Sequence, residues 1–218
     1  MKQKFEGIFE EGRTLLTENL VPGTIHFEEE IRKEKGREFR IWDPRKSKLA
    51  AALAKGLNIV PVKKGDAVLY LGAAHGYTVS FISDIIGKEG FVFAVDFAPR
   101  VVRELVFVAE KRKNIAPMLE DARLPETYKE KIPKVDIIYQ DVAQRNQVEI
   151  LLKNAGRFLK PGGYAMVAIK ARSIDSARNP SLIFQEVREE LKNSFKIIDF
   201  RRLDPLQKDH AFFVLQRK

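Results

Sequence analysis

The sequence predicts an α/β protein: a mostly parallel, seven-stranded sheet with helices on both faces, preceded by a small β-rich segment. Three observations carry this reading. From residue 67 onward, short apolar runs alternate with segments of helical periodicity, the rhythm of strand–helix–strand units. That rhythm places a parallel sheet between two helical layers. The last two apolar runs, 195–202 and 210–216, are joined only by Leu203-Asp204-Pro205-Leu206-Gln207-Lys208-Asp209. Such a link is too short for a helical crossover, so these strands form an antiparallel hairpin.

In chain order, the first fifty or so residues differ from the rest. Apolar patches such as Ile8-Phe9, Leu15-Leu16 and Ile25-His26-Phe27 are separated by charged clusters and by the turn signal Pro22-Gly23. They predict a few short antiparallel strands ending at Phe39-Arg40-Ile41-Trp42. Asp43-Pro44 then opens a helix, with a capping residue followed by proline in the first turn. That helix runs through Leu49-Ala50-Ala51-Ala52-Leu53 and stops near Gly56. Residues 1–55 therefore form a small β-rich domain plus helix, and residues 56–218 the main domain, with Gly65 and Asp66 at the start of its first strand. Strands are expected at 67–71, 91–96, 115–119, 135–140, 163–169, 195–202 and 210–216. Helices are expected at 77–87, 99–113, 124–130 (short), 144–159 and 180–193. Lys160-Pro161-Gly162-Gly163 closes the helix before the fifth strand with a glycine-rich turn.

Composition narrows the function classes. The 218 residues hold 44% hydrophobic side chains, enough for a sizeable core, and no apolar run long enough to cross a membrane. No signal-peptide core follows Met1. There is no cysteine, and His26, His75 and His210 lie far apart without metal-ligand spacing. The expectation is a cytoplasmic protein with no membrane association and no metal. Thirty-nine Lys and Arg against 30 Asp and Glu leave a net charge of +9. A basic folded chain commonly meets a polyanion, although 32% charged residues also suits heat adaptation.

The chemistry is placed by the sheet. Ligands of open α/β sheets bind beyond the carboxyl ends of the parallel strands. The first strand, Val68-Leu69-Tyr70-Leu71, runs into the small-residue turn Gly72-Ala73-Ala74-His75-Gly76. The second, Phe91-Val92-Phe93-Ala94-Val95, ends in the lone carboxylate Asp96. This pattern fits two readings: a site for an adenosine-containing cofactor, where glycines admit the ligand and Asp96 binds the ribose hydroxyls, or an ordinary strand–turn–helix without a ligand. A dinucleotide site needs Gly-x-Gly-x-x-Gly to seat a pyrophosphate. Here Ala74 replaces the second glycine and Val79-Ser80 offer no third, which favours a cofactor without a pyrophosphate, such as S-adenosylmethionine. Asp121 and Ala122 follow the third strand, Asp141 ends the fourth, Lys170 ends the fifth, and His210 begins the last. If that strand is antiparallel, Asp141, Lys170 and His210 converge on one edge. Taken singly, Asp141 is also compatible with a helix cap, Lys170 with a lysine reaching to water and His210 with a turn residue. Lys48 stands with Arg45 and Lys46 in the first turn of its helix, where cations are disfavoured. That placement is compatible with a carboxylate or phosphate nearby, or with a solvated basic turn in which salt screening keeps the penalty small.

These motifs resemble those of the fibrillarin family. The matching segments are Trp42-Asp43-Pro44 with Ser47-Lys48-Leu49-Ala50, Leu69 to Ser80, Glu120-Asp121-Ala122-Arg123, Asp141-Val142-Ala143-Gln144, Ile169-Lys170-Ala171 with Ile174-Asp175-Ser176, and Lys208-Asp209-His210-Ala211. The resemblance spans nearly the whole chain. It lacks the glycine/arginine-rich N-terminal tail of eukaryotic members, as in the archaeal form. Tyr70 stands where methyltransferases often carry an acidic residue, a departure that fibrillarins share. The resemblance implies a Rossmann-like class I methyltransferase fold and S-adenosylmethionine-dependent 2′-O-methylation of rRNA and tRNA. It implies a box C/D guide RNA particle with a Nop-domain scaffold and a kink-turn-binding ribosomal-type protein. The implied catalytic set is Lys48, Asp141, Lys170 and His210. The implied cofactor contacts are Gly72, Ala73, Gly76, Tyr77, Thr78, Asp96, Phe97, Asp121, Ala122, Asp141 and Gln144. A free lysine is mostly charged at neutral pH, so Lys170 fits either a base or a stabiliser of the developing alkoxide. The basic edge around Arg45, Lys46, Arg172 and Lys208 is expected to face RNA. The rival readings are a nicotinamide-dependent dehydrogenase, against which the missing glycines and terminal hairpin argue, and a noncatalytic RNA-binding subunit. The latter has no need of Asp141 and His210 together.

Overall fold

Short apolar patches between turns build the first layer. The computed structural model describes residues 1–218. Its N-terminal part is an antiparallel sheet of five strands: β1 (Lys2–Phe5), β2 (Ile8–Glu11), β3 (Thr14–Glu18), β4 (Ile31–Glu34) and β5 (Arg37–Trp42), in the order β1-β2-β3-β5-β4. After α1 (Lys48–Ala54) the main domain alternates β6 (Ala67–Leu71), α2 (Tyr77–Ile86), β7 (Phe91–Asp96), α3 (Pro99–Lys111), β8 (Ile115–Leu119), β9 (Val135–Gln140), α4 (Gln147–Phe158) and β10 (Leu159–Lys170). It closes with α5 (Ala171–Ile174), α6 (Pro180–Leu191), β11 (Phe195–Arg202) and β12 (His210–Arg217). The seven-stranded sheet has the order β11-β12-β10-β9-β6-β7-β8. β8, β7, β6, β9 and β10 run parallel, and β12 is antiparallel to both neighbours, as expected.

Each face of this sheet carries its own apolar layer, as the near-continuous hydrophobic strands require. One layer joins the sheet to α1, α2 and α3 through Leu49, Leu53, Phe81, Ile82 and Leu105, and also takes in Ile8, Leu15 and Trp42 of the small sheet. The other joins it to α4 and α6 through Ile150, Leu151, Phe158, Ile183 and Leu191. No helix is long and apolar enough to cross a membrane.

Several boundaries differ from expectation, each for a local reason. Asp43-Pro44 does not open α1. The Asp43 carboxylate accepts the Arg45 N–H at 2.8 Å, closing a turn on itself, and the cap is Ser47, whose Oγ accepts the Ala50 N–H. The short helix at 124–130 is reduced to one 3₁₀ turn at Pro125–Thr127. Burial of Tyr128, stacked on Phe158 with its hydroxyl 2.5 Å from Asn154 Oδ1, holds that segment as a loop. α4 starts at Gln147, not 144, which leaves 141–146 as loop. The glycine-rich turn at 160–163 is absorbed into β10, which begins at Leu159 and carries an irregularity before Tyr164. The single turn of α5 lies outside the expected elements.

The small sheet is docked on α2 by a buried ionic cluster. Asp84 lies between Arg40 (2.8 Å) and Arg112 (2.5 Å), and all three side chains are fully buried. The Asp84 carboxylate also accepts the Thr17 hydroxyl (2.7 Å) and the Leu20 N–H (2.9 Å), both from the small sheet's side. Arg40 reaches Glu29 at 2.7 Å and donates to Ser80 Oγ, while its guanidinium lies 4.1 Å from the Phe81 ring centroid. Burial works against the Glu29 charge, but the Arg40 guanidinium and the backbone N–H donors of Glu29 and Phe27 together outweigh it and keep that carboxyl below its ordinary range. Next to the cluster, Trp42 stacks on Phe81 at 4.9 Å.

Removing one member of such a network strands the others as uncompensated buried charges. Asp84→Ala should therefore destabilise the protein by about 3–5 kcal/mol. A denaturant midpoint unchanged from wild type would contradict this account of the docking.

Candidate functional site

The order of the strands sets the site. β7 and β8 lie on one side of β6, and β9 and β10 on the other, so the connections reverse between β6 and β9. A crevice opens at such a switch point, outside the carboxyl ends of the strands. Here it is a cavity of about 340 Å³ lined by the residues that follow β6, β7, β8 and β9: Gly72 and Ala74; Asp96 and Phe97, with Val95; Glu120 and Ala122; and Asp141 to Gln144. Of the expected cofactor contacts, Gly72, Asp96, Phe97, Ala122, Asp141 and Gln144 line it. Ala73, Gly76, Tyr77, Thr78 and Asp121 do not.

Those five are engaged elsewhere. The Tyr77 hydroxyl accepts the Asp43 N–H at 3.2 Å, and Thr78 Oγ1 donates to Ser47 Oγ at 3.0 Å, so both hold the approach to α1. Asp121 is gripped by Arg123, which together with a backbone N–H keeps its carboxyl below the usual range. Ala73 is buried, its N–H given to the Val95 carbonyl. Gly76 has φ +91° and precedes α2, and a Cβ there would meet Leu105 at 2.5 Å. Gly72 was expected to make room for a ligand. A Cβ on it would sit 2.4 Å from the Asp141 carbonyl oxygen, so it is the main chain after β9 that first demands the glycine. Ala74, Val95, Glu120, Val142 and Ala143 also line the cavity and lie outside the expected set, although the strand-end rule that selects their neighbours applies equally to them.

The cavity lining fits the cofactor that the resemblance implies. Asp96 is held by two backbone donors, Ala74 N–H to Oδ2 (2.9 Å) and Ala98 N–H to Oδ1 (3.0 Å), which fixes the carboxylate and leaves each oxygen a further lone pair for a diol. Val95, Ala122 and Val142 supply apolar wall, and the Phe97 ring is 59% exposed beside it. Gln144 Oε1 is buried without a hydrogen-bond partner, a condition buried polar atoms rarely tolerate unless a ligand or water completes them. Three carboxylates and no Lys or Arg line the cavity. That charge suits a sulfonium cation and repels a pyrophosphate, so the residues fit S-adenosylmethionine and not a dinucleotide.

Next to the cavity, α1 delivers Lys48 as its first residue. Ser47, buried and bonded to Thr78, pins the start of the helix, and Gln207 Nε2 donates to the Arg45 carbonyl at 2.6 Å from the far side. Lys48 Nζ is thereby placed 3.0 Å from Asp141 Oδ2. This carboxylate is the anion that the unfavourable position of Lys48 pointed to. Asp141 does not cap α4; Asn146 holds that position. Beneath the pair, Tyr70 and Tyr139 stack at 4.4 Å, and burial together with the charge of Asp141 drives both hydroxyls far above their ordinary range, keeping them neutral.

Lys170 and His210 face each other directly in the β10–β12 register. The His210 Nδ1 lies 2.6 Å from the Lys208 carbonyl oxygen. A carbonyl only accepts, so Nδ1 carries the proton and the neutral ring presents Nε2 as an acceptor. Burial lowers the His210 pKa from its ordinary value; the Lys208 carbonyl and Asp141 oppose this, while Lys48 and Lys170 add to it. His210 thus lies within electrostatic reach of Lys48, Asp141 and Lys170, and Asp141 also lines the cavity.

Comparison with known proteins agrees with this geometry. The fibrillarin family model matches residues 1–218. The fibrillarin-like rRNA/tRNA 2′-O-methyltransferase of Thermococcus onnurineus is 49% identical over 221 aligned positions, covering 99% of this chain and 98% of that one. A fibrillarin of Aeropyrum pernix, solved with natively bound S-adenosyl-L-methionine, is 47% identical with a TM-score of 0.86, over 93% of this chain and 88% of that one. The fibrillarin of a fibrillarin/Nop5p complex is 38% identical with a TM-score of 0.92, and each chain is covered completely. A family match along the whole sequence, together with a relative at nearly half identity, makes this chain a member of the fibrillarin family.

Proposed function

We infer that this chain is an S-adenosylmethionine-dependent RNA 2′-O-methyltransferase acting on rRNA and tRNA. The observation that carries this reading is that Asp141, which lines a carboxylate-rich cavity, is paired with Lys48 and lies within electrostatic reach of His210, which faces Lys170 across the β10–β12 ladder. Asp96 would hold the ribose of the cofactor, Phe97 and the apolar wall its adenine, and Gln144 a further polar group. When bound, the cofactor supplies a methyl group already activated on a sulfonium. The chain's own residues must position the acceptor hydroxyl in line with it and accommodate the proton.

Within this reading Lys170, exposed at the end of β10, stands at the acceptor hydroxyl as base or as electrostatic stabiliser. Asp141 holds Lys48 and sets the negative charge of the edge. His210 offers a lone pair at Nε2, which suits a hydroxyl donor and not the Asp141 carboxylate. The exposed Arg45, Lys46, Arg172 and Lys208 flank this edge and suit the RNA backbone. We propose that a box C/D guide RNA selects the nucleotide, and that a Nop-domain scaffold and a kink-turn-binding ribosomal-type protein complete the particle. The solved fibrillarin/Nop5p complex supports the scaffold partner. The setting proposed is the cytoplasm.

Three measurements test this reading. Asp96→Asn should weaken cofactor binding by about 1.5 kcal/mol, the lower range for a charge-assisted hydrogen bond; unchanged affinity by calorimetry would displace the ribose from this site. Lys170→Ala, in a particle reconstituted with guide RNA and both protein partners, should slow single-turnover methylation by ~10²–10⁴ while sparing cofactor affinity. A particle that assembles normally and methylates within a few-fold of wild type would show that Lys170 does not stand at the acceptor. The His210 titration, followed by NMR, should have its midpoint below the ordinary ~6.5, rising in Lys48→Met and falling in Asp141→Asn. Because the folded-state pKa is lowered, the neutral ring's contribution to stability is present above the unfolded value and is lost as pH falls through the folded one. A midpoint at or above the ordinary value would contradict this environment.

A further inference from the structure

β9 ends at Gln140, and its pairing with β10 stops at Val167. β10 runs on for three residues, Ala168 to Lys170, supported by β12 alone. Lys170 sits at the tip of this overhang. On the side that β9 has left, its peptide N–H and C=O would lack partners, a costly state beside a packed core. One side chain supplies both. The Lys170 N–H donates to Gln147 Oε1 at 2.9 Å, and Gln147 Nε2 donates to the Lys170 carbonyl at 3.1 Å.

The carboxamide of Gln147 thus acts as a substitute peptide of the missing strand. Among side chains that do not ionise only Asn and Gln carry such a paired acceptor and donor, and Asn is one methylene shorter. Gln147 is fully buried at the start of α4, beside the apolar Val148, Ile150 and Leu151. Its own main-chain carbonyl accepts Gln140 Nε2 at 2.8 Å, and Gln140 is fully buried as well. A continuous chain therefore runs from the last residue of β9, through the first residue of α4, to the main chain of Lys170. From the other side the Ala171 N–H donates to the Asp209 carbonyl at 3.0 Å, next to His210. The Lys170 side chain itself forms no ion pair and is exposed, so nothing but its main chain sets its origin.

We propose that Gln147 is the positioning residue of Lys170, fixing where the lysine begins and hence where its amine meets the acceptor hydroxyl. The proposal rests on the reading of Lys170 given above. Gln147→Leu keeps the volume and removes both bonds. In the reconstituted guide particle at saturating cofactor it should slow single-turnover methylation by roughly 10–100-fold, the scale of a misplacement of about an ångström. Cofactor affinity should stay within about two-fold, since Gln147 does not touch the cavity. Gln147→Glu keeps the acceptor for the Lys170 N–H but, when ionised, sets a second oxygen against the Lys170 carbonyl, so it too should be slow at neutral pH. Its deficit should shrink as pH falls, because a protonated carboxyl regains the donor.

The deciding measurement is a double-mutant cycle. If Gln147 acts through Lys170, adding Gln147→Leu to Lys170→Ala should slow the reaction by no more than about two-fold further, because coupled residues are not additive. A purely structural role would give the same loss in both backgrounds, and that result would overturn the proposal, as would a Gln147→Leu particle within about two-fold of wild type. Should Gln147→Leu fail to fold, the same cycle is run with Gln147→Glu. A Lys170→Ala particle as fast as wild type would instead overturn the reading of Lys170, whatever Gln147 does.

Discussion

Asp84 is the carboxylate on which the rest of the arrangement depends. It takes the charges of Arg40 from the small sheet and Arg112 from the residue after α3, and it also accepts Thr17 and Leu20. A buried carboxylate between two buried guanidiniums is tolerable only when its lone pairs are filled, and this one is filled from both layers. The consequence reaches the site. Docking β5 on α2 stacks Trp42 on Phe81 and brings the 43–47 turn over the start of α2, where Tyr77 and Thr78 receive it. Only then does α1 begin where Lys48 can reach Asp141. The ion pair at the functional edge is set by one buried far from it.

The edge itself is a matter of register. In an antiparallel pair, each residue at the end of one strand has one partner at the start of the other. β10 ends where β12 begins, so Lys170 and His210 are placed opposite one another by the ladder. A slip of β12 by one residue would turn His210 to the other face, away from Lys170. The cis peptide at Asp204-Pro205 and the Gln207 contact to Arg45 lie in the short link that precedes His210. That link therefore meets the same turn that Tyr77 and Thr78 hold.

The two halves of the site have opposite electrostatic character. The cavity presents carboxylates and apolar wall and no basic residue, whereas Lys48 and Lys170 stand on the neighbouring strand-end edge, with Arg45, Lys46, Arg172 and Lys208 exposed on the segments beside them in the chain. A cationic cofactor and a polyanionic acceptor are thereby drawn to adjacent but distinct places. Asp141 belongs to both: it lines the cavity and neutralises Lys48 on that edge.

What the sequence by itself determined was the periodic part. Strands β6, β7, β8, β9 and β11 begin and end where apolar runs and turn residues place them, and the strand-end rule alone brought Asp96, Asp141, Lys170 and His210 to one edge. These are consequences of local pattern and of chain topology, which a single sequence carries. The tertiary structure decided whatever depends on partners distant in the chain. Nothing local marks Arg40, Asp84 and Arg112 as one cluster, since each reads as an ordinary surface charge until burial removes the water. Asp43-Pro44 has the residues of a helix start, yet Asp43 is consumed by the Arg45 N–H and Ser47 caps instead. Gly72 reads as space for a ligand but is required by the backbone of Asp141. Gln147 reads as a polar residue at a helix start and proves to be the buried partner of the Lys170 peptide. In each case the side chain's role follows from which donors and acceptors folding leaves unpaired, and that is settled only when the strands and helices have met.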